Sequence, residues 1–370
     1  MISTRRRITA LTLPLAAAIA PSAVVLAQGS TSRPMAWPDE TWPVSGPEAH
    51  GLPADLGDRI DQQVTVTTPL LTSLLVIRGG DLVISRHYNG FAPDQTFHIW
   101  SVTKSVSSIA TGIAFREGLL NDVNQTLGEL IPDRIPAGAD PRVANITLEH
   151  LLTSTSGWAW DGRINFSRHG ETDDLDMMLA RPMMCDSGAC FEYDSTNSNL
   201  LSYIIQVQSG VTMAEYLQPR LFDPLGIPEP EWVTMYDGFN RGAGGLFLTP
   251  GDMAKLGLLY LHRGEWDGQR IVDEEWVAAS TSRQASGTST ITGVNIGGGG
   301  AYGYQWWVQD LFGYPAFYGN GYGDQTLYVV PDFNLVVVTG VASTDVNKPE
   351  NQQPVLPIIE ETIVPAALEG

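Results

Sequence analysis

Lysine is nearly missing from this chain. Of 370 residues, 21 are lysine or arginine, and only Lys104, Lys255 and Lys348 are lysines. Basic charge of any kind is short against 41 acidic residues, a net of −20 that would repel nucleic acid and anionic membrane surfaces, so neither is expected as a partner. The six histidines (His50, His87, His98, His150, His169 and His262) show no His-Glu-x-x-His or clustered spacing. With only two cysteines beside them, no catalytic metal or other cofactor is expected. There is no Gly-x-Ser-x-Gly element, which removes the usual signature of a Ser-His-Asp hydrolase. No internal repeat is present. Long apolar runs are confined to the N-terminus, so no transmembrane span is expected once that segment is removed.

That N-terminal segment reads as an export signal. Arg5-Arg6-Arg7 precedes an uncharged run from Ile8 to Ala27, and Val25-Leu26-Ala27 offers the small residues that a signal peptidase needs before Gln28. Thr4-Arg5-Arg6-Arg7-Ile8 loosely matches a twin-arginine signal. Pro14 and Pro21 argue against an uncleaved membrane anchor. The expectation is a signal peptide over 1–27, a proline- and serine-rich lead-in over 28–45, one domain over 46–370, and a periplasmic or secreted location. In that setting Cys185 and Cys190, with Asp186-Ser187-Gly188 between them as a turn, are expected to close a small disulfide loop.

What is present in place of histidine chemistry is a serine three residues ahead of one of the scarce lysines, in Ser101-Val102-Thr103-Lys104. Positions i and i+3 share a helix face, which puts the amine within reach of the hydroxyl. A serine hydroxyl is a weak nucleophile until a neighbouring base takes its proton, and a lysine serves only if its surroundings favour the neutral amine. The ordinary alternative is a helix start with Ser101 as N-cap and Lys104 in water. The residues that follow, Ser105 to Ala114, are apolar or small on every face, the pattern of a helix buried all round, where a solvated lysine would be out of place.

Two hairpins frame this helix. Leu74–Arg78 and Leu82–Arg86 flank Gly79-Gly80-Asp81; Thr326–Val330 and Leu335–Thr339 flank Pro331-Asp332-Phe333-Asn334. Pairing them gives one antiparallel sheet with the Ser101 helix against it and a mostly helical insertion over about 121–290, an α+β architecture. The glycine- and serine-rich stretch around 286–300 reads as a surface loop.

Acyl transfer also needs a second proton carrier and two amide donors for the oxyanion. Tyr193-Asp194-Ser195, just before an apolar helical stretch, supplies a phenol and a second hydroxyl; Tyr193 alone would more ordinarily be a core tyrosine. Gly319-Asn320-Gly321-Tyr322-Gly323 precedes the Thr326 strand, and glycines at the start of an edge strand would let a substrate approach the backbone, with the Ser101 and Tyr322 amides as oxyanion donors. Trp158, Trp160, Tyr302, Tyr304, Trp306, Trp307 and Tyr322 fall in segments expected near the cleft, although each taken singly reads as a packing residue.

In this order, and together with Leu151–Gly157, Leu221–Ile227 and Gly244–Ala254, the motifs resemble the penicillin-recognising serine enzymes related to class C β-lactamases. That family includes D-alanyl-D-alanine carboxypeptidases, esterases and 6-aminohexanoate-oligomer hydrolases, and the likeness runs from about 46 to 365. The resemblance implies the β-lactamase/transpeptidase-like fold, an antiparallel sheet flanked by helices. It implies a covalent acyl-enzyme on Ser101, with Lys104 and Tyr193 handling protons and Ser195 where many members carry asparagine. Gly319-Asn320-Gly321 stands where the substrate-binding Lys-Thr-Gly or His-x-Gly motif is usual. Without a cation at 319, a substrate carboxylate loses a contact worth on the order of 1.5–3 kcal/mol. The expectation is therefore an esterase or amidase of small molecules, nearest in motifs to 6-aminohexanoate-oligomer hydrolases. A β-lactamase, a carboxypeptidase or a non-catalytic ligand-binding relative is the alternative.

Overall fold

The computed structural model describes residues 37–38, 41–162, 175–290, 293, 295, 300–323, 325–341 and 355–370. The expected signal segment, part of the glycine- and serine-rich stretch, Asp324 and Lys348 lie outside the described residues. Strands are numbered β1 (Leu71–Arg78), β2 (Asp81–His87), β3 (Phe97–His98), β4 (Phe247–Leu248), β5 (Glu265–Trp266), β6 (Gln269–Arg270), β7 (Ala285–Ser286), β8 (Ala301–Tyr302), β9 (Trp307–Leu311), β10 (Tyr314–Gly321), β11 (Gln325–Val330) and β12 (Leu335–Val341). Eight form one antiparallel sheet in the order β2-β1-β12-β11-β10-β9-β8-β7. Five helices matter for the site: α1 (Leu56–Thr67), α2 (Val102–Arg116), α3 (Leu148–Leu152), α4 (Ser195–Ser209) and α5 (Pro250–Leu261).

Both expected hairpins are present. Gly79 and Gly80 turn the first with positive φ at each, 60° and 88°, the conformation that a two-residue hairpin loop with native twist requires. Asn334 (φ 47°) ends the turn of the second. The hairpins join through β1 and β12, which run antiparallel in a register that pairs Val76 with Val337. β11 and β12 are buried along their whole length, so the centre of the sheet is covered on both faces. On one face Val76, Val337 and Tyr328 share a core with Leu56 and Ile60 of α1 and with Ile358, Ile359 and Ile363 near the C-terminus.

The opposite face receives α5. A Cβ at Gly257 would lie 2.6 Å from Val336 Cγ1 and 2.7 Å from Leu327 Cδ1, so glycine is what lets this helix close onto the strands. α5 belongs by sequence to the helical stretch between the hairpins, yet it packs on the sheet. α2 lies beside it, against β10 and α4. Every residue of α2 from Val102 to Ala114 is buried, as its all-round apolar sequence requires.

The glycine motif sits differently from its expected place. Gly319-Asn320-Gly321 ends β10 instead of starting an edge strand, and β10 lies between β11 and β9. The β9 pairing stops at Tyr318, however, while β11 pairs on through Gly321, so these three residues are bound along one side. The short partner strand, not the order of the sheet, creates the local opening.

Candidate active site

The turn before α2 sets the site. Trp100 has a positive φ of 48°, a conformation that costs a non-glycine residue on the order of 1 kcal/mol or more. Ser101 then takes the N-cap position, but its side chain makes no capping bond. Its Oγ lies instead 3.1 Å from Lys104 Nζ. Lys104 is only 2 % exposed, which removes the alternative of a capped helix with a solvated lysine. Nζ also lies 3.3 Å from Ser195 Oγ and donates to the Ala243 carbonyl at 3.0 Å.

Three neighbours for one amine match either protonation state. An ammonium would donate to all three; a neutral amine would donate to Ala243 O and Ser195 and accept from the Ser101 hydroxyl. Charge decides between them. Burial, helped by the Arg241 guanidinium and opposed by Asp194, pulls the Lys104 amine down to about 7. Burial pushes the Tyr193 phenol up to about 12, against a hydrogen bond with Ser101 that lowers it. The lysine therefore gives up its proton far more readily than the tyrosine, and the neutral amine with an intact phenol prevails over ammonium with phenolate.

Tyr193 is fixed by aromatic contacts, stacked on Trp307 at 5.3 Å and edge-on to Tyr302 at 5.9 Å, with Lys104 Nζ 5.0 Å from its ring centre. Asp194 caps α4 by accepting from the Thr196 amide at 2.8 Å, so the cap also aims Ser195 at Lys104. Asn199 of α4 accepts from the Ala243 amide at 3.0 Å and so orients the next carbonyl, which faces Lys104. Glycine at 242 is needed for that approach, because a Cβ there would run into the Ser198 carbonyl. Gln305, buried with φ 64°, ties the layers together: its amide donates to Leu151 and Leu152, its Oε1 accepts from Ser198, and its carbonyl accepts from Ser105.

The structure brings Ser101, Lys104, Tyr193 and Ser195 together. It places Tyr322 beside them, its ring 5.6 Å from Trp100, and seats Gly321 where a Cβ would meet the Ile99 carbonyl. A side chain at Gly319 would press on α2, 3.0 Å from Ser105 Oγ and 3.2 Å from Val102 Cγ1. Most of the aromatic residues expected near the cleft are core: Trp158, Tyr302, Tyr304, Trp306 and Trp307 are all buried, while Trp160 is 44 % exposed. Cys185 and Cys190 form the expected disulfide, whose loop is bound by its backbone to Thr155 and Gly157.

Sequence reasoning passed over Arg241, Ala243 and the ion pair of Arg181 with Asp194. The run Arg241-Gly242-Ala243-Gly244-Gly245 carried the available signal, since dense glycine marks close backbone approach. One further grouping looks catalytic and is not. Ser45 and Asp81 both contact His50, at 2.6 and 3.1 Å, but on the same nitrogen, Nε2, so the ring cannot pass a proton from one to the other. Among the described residues no cluster of histidine, cysteine and acidic side chains is arranged to hold a metal, and no helix is long and apolar enough to cross a membrane.

The Beta-lactamase family profile matches residues 72–356, most of the chain, and the chain belongs to that family. By that membership it is a serine hydrolase of the superfamily that joins β-lactamases with penicillin-binding proteins. It is 27 % identical over 274 residues to 6-aminohexanoate-dimer hydrolase of Paenarthrobacter ureafaciens, covering 68 % of this chain and 66 % of that one. It is 26 % identical over 187 residues to lovastatin esterase of Penicillium rubens, covering 44 % of this chain and 46 % of the other. Its fold matches a D-stereospecific amidohydrolase from Streptomyces with a TM-score of 0.62 at 16 % identity, over 84 % of this chain and 98 % of that one.

Proposed function

We propose that this chain hydrolyses a carboxylic ester or amide of a small molecule in two steps through an acyl-enzyme on Ser101. The observation that carries this reading is the burial of Lys104 against the Ser101 hydroxyl, with its amine brought down to about 7. Near neutrality a large share of the molecules then hold a neutral amine ready to take the hydroxyl proton. Ser101 Oγ attacks the carbonyl carbon, and the proton passes to Lys104 Nζ. The amides of Ser101 and Tyr322 receive the oxyanion, which needs donors fixed in advance.

Tyr193 is the carrier to the leaving group. Its phenol keeps its proton, gives it to the departing oxygen or nitrogen, and regains one from the Lys104 ammonium, so the pair ends the half-reaction as it began. Water then repeats the sequence on the acyl group, with its proton moving to Lys104. Ser195, within 3.3 Å of the same amine, steadies the relay.

The substrate side follows from Gly319-Asn320-Gly321. With no cation at 319, the site favours neutral acyl groups over the carboxylates of penicillins and peptidyl-D-alanine. The 6-aminohexanoate-dimer hydrolase and the lovastatin esterase among the relatives support an amide or ester of that kind. The test is hydrolysis of a short-chain nitrophenyl ester, then of aminohexanoate oligomers, by the protein and its Ser101→Ala variant. Ester turnover should fall by on the order of 10³ or more in the variant, with the circular dichroism unchanged. Equal turnover by both proteins would end the proposal.

A further inference from the structure

Asp194 sits in the centre of the Tyr193-Asp194-Ser195 motif without touching the reacting groups, and it is nearly inaccessible at 2 % exposure. Its carboxylate is fully engaged elsewhere. Arg181 Nη1 donates to Oδ2 at 2.7 Å and Nη2 to Oδ1 at 3.3 Å, and Nη2 also donates to Thr196 Oγ1 at 2.8 Å. The guanidinium is itself 6 % exposed, donates to the Ala159 carbonyl and lies over the Trp158 ring at 5.5 Å. A buried, two-pronged pair of this kind fixes the geometry of the motif that carries Tyr193 and Ser195.

We propose that Arg181 and Asp194 are positioning residues: their ion pair holds the Tyr193-to-Ser195 turn against Lys104 and cancels a carboxylate charge that would otherwise keep the Lys104 amine protonated. This rests on the hydrolase reading above and extends it. An opposite charge close to a lysine favours the ammonium, and a like charge disfavours it. Lys104 is surrounded by the Ser101 and Ser195 hydroxyls, the Ala243 carbonyl and the Tyr193 ring. Two charges act on it: Arg241, which favours the neutral amine, and Asp194, which opposes it. The other titratable groups nearby are accounted for. His98 accepts from the Gly245 amide through Nε2 at 2.7 Å and lies against Trp100 at 4.0 Å, Glu192 accepts from Ser289, and Tyr302 and Tyr322 flank the aromatic side. Asp194 is therefore the one acid acting on Lys104 among the described residues, and Arg181 is its direct counter-charge.

The pair gives the two single variants opposite signatures. Asp194→Asn keeps an N-cap side chain, removes the negative charge and leaves Arg181 positive, so both changes favour the neutral amine. Arg181→Met leaves Asp194 uncompensated and favours the ammonium. The double variant restores the balance. The readout is the rate at which a fluorophosphonate captures Ser101, followed against pH, where Ser101 Oγ bonds to phosphorus, fluoride leaves and the proton passes to Lys104.

The rate rises as Lys104 becomes neutral. The midpoint of that rise should move down by about one pH unit in Asp194→Asn, up by about one unit in Arg181→Met, and back toward the parent value in the double variant. Arg181→Lys, which keeps the charge but not the fork, should show a lower maximal rate with its midpoint unmoved, separating placement from charge. Shifts of the same sign in both single variants, or no shift in either, would overturn the charge role. Equal maximal rates for Arg181→Lys and the parent would overturn the placement role. A parent protein whose Ser101 is not captured at any pH would instead overturn the hydrolase reading, and this inference with it.

Discussion

Two lysines are buried among the described residues, and their surroundings have little in common. Lys255, on α5, donates to the Gly226 carbonyl at 2.9 Å and lies 3.4 Å from Asp252, one turn back on the same helix. Lys104, on α2, has two hydroxyls and a carbonyl as direct neighbours, a guanidinium acting on it, and the one carboxylate that acts on it already bound to Arg181. The first arrangement holds a charge in place. The second expels one. Burial is common to both, so burial alone does not make a base; the partner is what differs, and it separates a structural cation from an amine poised to lose its proton.

The comparison is broken most severely by exchanging each lysine for methionine, which keeps the length and discards the amine. Lys104→Met should lower ester hydrolysis on the order of 10³-fold or more, with the nitrophenyl assay as the measure. The same change should raise stability. The folded-state value of Lys104, about 7, lies below the unfolded value of 10.5. Between those two values the unfolded chain binds the extra proton, so the parent protein gains stability as pH rises from 7 to 10.5 and carries the full penalty below 7. Urea unfolding should show Lys104→Met more stable than the parent by a few kcal/mol at neutral pH, a margin that shrinks toward pH 10.5. Equal stability across that range would show that Lys104 is not held neutral.

Lys255→Met should do the reverse, leaving activity per folded molecule intact while costing about 3 kcal/mol, because Asp252 keeps its charge and loses its counter-ion. The smallest effect is the pH profile of the parent. kcat/KM should fall about tenfold for each unit below pH 7 as Lys104 takes up its proton, while the gain in stability between pH 7 and 10.5 should be missing from the urea-unfolding profile of Lys104→Met. A flat profile between pH 5 and 7 would place the base elsewhere.

Much of this was legible in the chain itself, and the reason is locality. The two hairpins announce themselves through glycine turns between apolar runs, and the i, i+3 spacing of Ser101 and Lys104 needs only one turn of helix. Tyr193 and Ser195 could be named from a short motif, but the reason they face Lys104 could not. It depends on Asp194 capping α4 and on Arg181 reaching it, a contact between segments that no periodicity connects. Arg241 and Ala243 were harder still, since they come to Lys104 from well over a hundred residues away through a glycine-rich run whose packing only the fold reveals. The displaced glycine motif teaches the same lesson. Gly319 to Gly321 was read as the start of an edge strand because sequence shows where a strand lies but not how long its neighbour is; β9 ends at the level of Tyr318, and that length opens the cleft. The aromatic residues misled in the usual direction: tryptophans and tyrosines near a motif are more often the packing that holds it.

The contact between β10 and α2 has a consequence for descent as well as for chemistry. Gly319 presses so closely on Val102 and Ser105 that even a methyl group must displace a neighbour by a few tenths of an ångström. A lineage that has settled into this packing does not accommodate a lysine or histidine at 319 by one substitution. Room must first appear on α2, beside the serine and lysine on which turnover depends. A larger side chain at 319 is thus slow to arise, and new specificities on this chain are more accessible through the rim and loops than through this strand.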